Sequence, residues 1–76
     1  MSRLPILKAK EIIKILNRLG FQLIRKKGSH YFFRHPDGRT TIVPVHLGQD
    51  IRRGLLRGII KDIEISPSNF LKVIKQ

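Results

Sequence analysis

The residues best suited to chemistry lie between positions 25 and 39. Arg25-Lys26-Lys27 leads into Gly28-Ser29-His30, the aromatic run Tyr31-Phe32-Phe33 follows, and Arg34-His35 closes the stretch. Histidine is the side chain that exchanges a proton near neutral pH. Cationic neighbours stabilise the extra charge of a phosphorane by the electrostatics of an oxyanion hole. Together these suit one reaction of RNA, in which a 2′-hydroxyl loses its proton and attacks the adjacent phosphorus while the departing 5′-oxygen is protonated. On residue types alone a second reading stays open, in which His30 is a hydrogen-bonded structural residue at the start of a strand.

Other chemistries find little support. There is no GxxxxGKS loop, no HExxH and no GxSxG, and the five acids Glu11, Asp37, Asp50, Asp62 and Glu64 are too scattered for a carboxylate pair or a two-metal centre. The histidines are His30, His35 and His46. His30 and His35 differ by an odd number and so cannot share one face of a strand, which argues against a histidine zinc site. No metal or cofactor is expected.

Charge points to the partner. Sixteen Lys and Arg against five Asp and Glu give a formal +11 and a pI near 11.3, a balance that favours polyanions. The excess is local, because no acid occurs from Ile12 through Pro36 while Lys14, Arg18, Arg25, Lys26, Lys27 and Arg34 fall there. Phosphate contact fits this better than an anionic membrane, since the basic residues are not gathered on one amphipathic helix. A solvated basic surface is the bland alternative. With 76 residues the expectation is a single domain, residues 1–76, with a thin core. The absence of cysteine removes disulfides and thiolate metal sites. No apolar stretch approaches a membrane span and MSRLPILKAKE does not read as a signal peptide, so a cytoplasmic location is expected.

The elements that must position these residues follow from periodicity. Ala9, Ile12, Ile13, Leu16 and Leu19 recur every three or four residues and predict an amphipathic helix. Gly20 suits the left-handed position past its end, with Phe21 folding back on Leu16. Lys8 stands where a capping Ser or Asp would be expected. Three strands are predicted, over Phe21 to Lys26, His30 to His35 and Thr40 to Val45, with Pro36-Asp37-Gly38-Arg39 as a hairpin turn. With Asp37-Gly38 as a two-residue loop, Phe32 lies opposite Val43 and His30 opposite Val45, leaving Tyr31, Phe33 and Ile42 on the other face. Phe32 and Phe33 are both expected to pack, although alternation does not name the core face because each face carries aromatics. Pro44 belongs at an edge. After a loop over His46 to Gln49, Leu55, Leu56, Ile59, Ile60 and Ile63 predict a helix from about Arg53 to Asp62. Ser66-Pro67 opens a short C-terminal helix that buries Phe70, Leu71 and Ile74. The fold class is therefore α+β: a two-layer double-stranded-RNA-binding-like domain, α-β-β-β-α with an extra short C-terminal helix, its antiparallel three-stranded sheet covered on one face and open on the other.

The run LIRKKGSHYFFRHPDGRTTIVPVH, followed by RRGLLRGIIKDIEISPSNFL, resembles the HicA family of small bacterial and archaeal toxins over nearly the whole chain. The ordered set carries the resemblance: G-S-H after a basic strand, V-P-x-H after the third strand, and a G-x-L-R-x-I-L-like second helix. It implies a toxin of a toxin–antitoxin system that cleaves messenger RNA on a double-stranded-RNA-binding-like fold and is held in check by a HicB-type antitoxin covering the active site. It assigns catalysis to the histidine of the G-S-H motif, here His30, and makes His46 a candidate second acid or base. Beside this, Lys26 and Lys27 read as phosphate contacts, and Arg25, Arg34 and Arg39 as further RNA-binding candidates. Gly28 would let the backbone turn and approach RNA, and Ser29 would position His30 or touch phosphate. His35 reads as a turn neighbour, and the Tyr31 hydroxyl is a weaker candidate still. The chain departs from the family pattern at Lys8, Leu55 and Gly58, which concern helix starts and helix propensity. The rival readings are a non-catalytic RNA-binding module and a docking face for an acidic protein.

Overall fold

The computed structural model describes residues 4–46 and 48–75; Leu47, within the expected loop, lies outside them. In chain order the elements are β1 (Leu7–Lys8), α1 (Ala9–Arg18), β2 (Gln22–Lys27), β3 (His30–Arg34), β4 (Thr40–Pro44), β5 (Asp50–Ile51), α2 (Arg53–Ile63) and α3 (Pro67–Ile74). Strands β2, β3 and β4 form an antiparallel sheet in that order, and β1 pairs with β5 in a separate two-stranded ladder. The α-β-β-β-α order with a further C-terminal helix is the expected architecture. Among the described residues no helix is long and apolar enough to cross a membrane.

Helix α1 ends as its sequence requires. Gly20 takes φ +95°, the Gly20 N–H donates to the Asn17 carbonyl at 3.1 Å and the Phe21 N–H to the Leu16 carbonyl at 2.9 Å, the paired bonds of a Schellman closure. Its start is closed from within. The Lys8 N–H donates to Glu11 Oε1 at 2.9 Å, so the acid in the first turn satisfies the N-cap backbone N–H although Lys8 brings no capping hydroxyl. The two-residue strands β1 and β5, which alternation cannot reveal at that length, join the starts of both long helices. Leu7 pairs with Ile51 and Lys8 with Asp50, the Lys8 Nζ lies 3.0 Å from Asp50 Oδ1, and Arg53 Nε donates to the Leu4 carbonyl at 2.6 Å.

The core sits between one face of the sheet and the helices. Ile12, Ile15 and Leu16 of α1, Leu56, Ile59, Ile60 and Ile63 of α2, and Phe21, Phe33, Val43 and Phe70 are all buried. Leu55, expected among the packing residues of the second helix, is instead 45% exposed; it falls on the solvent side of the turn whose inner position Leu56 fills. Thr41 is buried and its hydroxyl donates to Asp62 Oδ2 at 3.0 Å, tying β4 to α2. At α3 the Ser66 hydroxyl accepts from the Asn69 N–H at 3.1 Å and Pro67 follows at the first helical position. Phe70 is fully buried, while Leu71 and Ile74 are only half-buried. Replacing Ser66 by alanine removes the cap and is expected to cost about 1 kcal/mol, read as a lower urea midpoint at unchanged slope.

The register of the hairpin differs by one residue from the expectation. His35 N–H donates to the Arg39 carbonyl at 2.8 Å and Gly38 N–H to the His35 carbonyl at 2.9 Å, so the loop holds three residues, Pro36, Asp37 and Gly38. Gly38 is the residue at positive φ, +101°, the arrangement of a three-residue hairpin. His30 therefore pairs with Pro44, Tyr31 with Val43, Phe32 with Ile42, Phe33 with Thr41 and Arg34 with Thr40. A one-residue change of register reassigns cross-strand partners. Tyr31 and Phe33 join Val43 on the helix side, and Phe32 joins Ile42 on the open side. The expectation that both phenylalanines pack is thus corrected: Phe33 is buried, and Phe32 is a partly exposed residue of the open face. Pro44, at the end of β4, lies on an edge strand as anticipated.

Candidate nucleic-acid interface

The G-S-H stretch is a hairpin tip. Lys27 pairs with His30, leaving Gly28-Ser29 as a two-residue loop. Gly28 has φ +58° and Ser29 does not have positive φ, the requirement of a type II′ turn for glycine at its first central position. A Cβ on Gly28 would meet nothing within 4 Å, so backbone conformation rather than space calls for glycine there. The Val45 N–H donates to the Ser29 carbonyl at 2.6 Å and fastens the tip to the chain leaving β4.

Directly paired residues share a face, so three rows cross the open side of the sheet. The first, at the tip, is Lys27, His30 and Pro44; the second is Arg25, Phe32 and Ile42; the third is Gln22, Arg34 and Thr40. A bulge at Ile24 shifts the register between Leu23 and Arg25 and brings Arg25 into the row of Phe32. The Arg25 guanidinium lies 4.7 Å from the Phe32 ring centroid. No acidic side chain belongs to any of the three rows. His30 is exposed, and its imidazole has no hydrogen-bond or ion-pair partner among the described residues.

The other candidates divide between the two sides and the two ends. Arg25, Lys27 and Arg34 share the open face with His30, whereas Lys26 pairs with Tyr31 on the helix side, its Nζ 4.8 Å from that ring centroid. Arg39 lies at the far end of the β3–β4 hairpin. Its Nε donates to Asp37 Oδ2 at 2.8 Å, its Nη1 to the Ile63 carbonyl at the end of α2, and its guanidinium sits 5.1 Å from the Phe21 centroid. Those contacts join the hairpin to α2 and leave Arg39 away from the G-S-H tip. His46 is exposed two residues beyond Pro44 and lines a shallow groove with Lys8, Lys10, Val45 and Gln49. His35 makes the contacts of a turn residue: its Nδ1 accepts from the Asp37 N–H at 3.1 Å and its ring meets Phe21 edge-on at 5.1 Å. The residue that pattern does not reveal is Ile42, 44% exposed at the β4 end of the open face's middle row, which only the register assigns there.

Four of the five acids are committed elsewhere. Glu11 caps α1, Asp50 pairs with Lys8, Asp62 accepts from Thr41 and Asp37 holds Arg39. Among the described residues no three His, Cys, Asp or Glu side chains gather where one cation could be held. The Arg39 side chain, and then its backbone N–H, hold the Asp37 carboxyl below its ordinary value of 3.8. A depressed folded-state value means that Asp37 stabilises the fold above its unfolded pKa, and that this contribution is lost as pH falls through the lower folded value. Asp37→Asn is expected to flatten the acid limb of the stability curve below about pH 4, read from thermal midpoints in a pH series. The effect is small, because the pair is exposed to solvent and screened.

The family model described as the HicA toxin of bacterial toxin-antitoxin systems matches residues 9–65, from the first residue of α1 to just past α2. No individual curated protein matches the chain. With the family match covering most of its length, the chain belongs to the HicA toxin family, and is thus a toxin of a toxin–antitoxin system with an antitoxin as its partner.

Proposed function

We propose that the toxin is a metal-independent endoribonuclease that cleaves messenger RNA in the cytoplasm, with His30 as the proton-transferring residue and Lys27, Arg25 and Arg34 holding the phosphodiester. The observation that carries this reading is the pairing of Lys27 with His30 at the rim of an open face whose three rows hold no acidic side chain among the described residues. A histidine kept for structure is engaged, as His35 is by Asp37 and Phe21; the imidazole of His30 is exposed and has no hydrogen-bond or ion-pair partner among the described residues. His30 takes the 2′-hydroxyl proton, or protonates the departing 5′-oxygen, while the cations bear the charge of the phosphorane. One fragment then ends in a 2′,3′-cyclic phosphate and the other begins with a free 5′-hydroxyl. His46 is the candidate second acid or base. A HicB-type antitoxin silences the toxin by covering this face.

Protein freed of antitoxin and treated with EDTA should degrade messenger RNA to fragments with those ends, and should leave intact an RNA whose 2′-hydroxyls are all methylated. RNA that survives long incubation with folded protein would return the chain to the non-catalytic RNA-binding reading.

A further inference from the structure

The middle row of the open face is unlike its neighbours. Arg25, Phe32 and Ile42 cross all three strands, with the Arg25 guanidinium over the Phe32 ring, 4.7 Å from its centroid, and Ile42 44% exposed. A strip made of one guanidinium, one aromatic ring and one exposed isoleucine is therefore set between the row of Lys27 and His30 and the row of Arg34. Residues two apart on one strand stand about 7 Å from each other on the same face. Phe32 is thus one such step from His30.

We infer that the open face binds single-stranded RNA, with the base next to His30 stacking on the Arg25–Phe32 pair and Ile42 flanking it. The inference rests on the nuclease reading and names the form of its substrate. The cations of all three rows select a polyanion, but the Phe32 ring and Ile42 offer phosphate nothing. Aromatic rings and guanidinium planes do offer a surface to the π-face of an unpaired base. Base pairs within a duplex keep those faces in their own stack, so a duplex can use only the cations. The toxin would therefore use the sheet of a double-stranded-RNA-binding-like fold as a platform for unpaired bases.

Fluorescence anisotropy at fixed salt tests this with a 2′-O-methyl oligonucleotide, which lacks the attacking hydroxyl, used as a single strand and annealed to its complement. The single strand should bind more tightly than the duplex. Phe32→Ala and Phe32→Leu should each weaken single-strand binding about tenfold while leaving the dependence on salt unchanged. Arg34→Gln should weaken binding and lower the salt slope by close to one ion. The leucine variant keeps an apolar side chain in place, so it separates stacking from loss of fold. Equal or tighter duplex binding, or full affinity in Phe32→Leu, would overturn the inference. So would Phe32 variants that keep RNA affinity and lose only the antitoxin, which would make the strip a protein-docking surface. Cleavage of ordinary RNA by the wild type is scored separately: binding through Phe32 without cleavage sinks the nuclease reading, and cleavage indifferent to Phe32 sinks the platform.

Discussion

His30→Ala is expected to lower RNA cleavage by about two to four orders of magnitude, the usual contribution of one positioned proton-transfer group. Binding of uncleavable RNA should stay close to wild type, because Arg25, Lys27 and Arg34 remain on the open face. The fold should be unaffected, since the imidazole is exposed and makes no side-chain bond among the described residues. The experiment compares single-turnover rates in EDTA with anisotropy on the 2′-O-methyl strand, for wild type and variant. A variant that cleaves at the wild-type rate would remove His30 from the mechanism and direct attention to His46. Expressed without antitoxin, the wild type should arrest growth and the variant should not.

Phe33→Ala is expected to destabilise the protein by about 3–5 kcal/mol. Phe33 is 1% exposed, with its ring turned to the helix side of the sheet beside Thr41, and the cavity left behind has little room to collapse in so thin a core. A domain of this length carries roughly 4–11 kcal/mol in total. The variant should therefore melt more than about 10 °C below wild type or fail to fold at growth temperature. Phe32→Ala one position earlier should shift the melting temperature by far less while affecting RNA binding. Thermal denaturation of the two variants side by side checks the assignment of faces. Equal losses of stability would mean that both rings belong to the core.

Much of the candidate site was legible without coordinates because its signals are local. Lys27, Gly28, Ser29 and His30 are consecutive, and a glycine at a hairpin tip needs no distant partner to take positive φ. The Schellman end of α1 and the serine cap of α3 depend on residues within one turn of each other. Helical periodicity likewise revealed α1 and α2, since one helix face samples many residues.

The contacts that local patterns do not show depend on partners far along the chain. Arg39, an RNA-binding candidate on charge alone, has a hydrogen-bond partner at the end of α2, twenty-four residues on, which no local pattern shows. The pairing of β1 with β5 joins segments more than forty residues apart through two residues each, too few for any alternation to show. Phe32 and Ile42 could be put together only once the hairpin loop was known to hold three residues rather than two.

From the sequence alone followed the α+β order of elements, the cationic character of the stretch around His30 and the family resemblance, which implies that histidine as the catalytic one. The tertiary structure decided which face each strand residue occupies, and with it the difference between Phe33 as core and Phe32 as an open-face residue. The physical reason is that backbone conformation at a cap or tip is set by neighbours in the chain, whereas strand register is set by the whole hairpin. Whether one extra residue joins the turn is settled by packing Tyr31, Phe33 and Val43 beneath the helices, and that choice leaves Arg25, Phe32 and Ile42 facing outward.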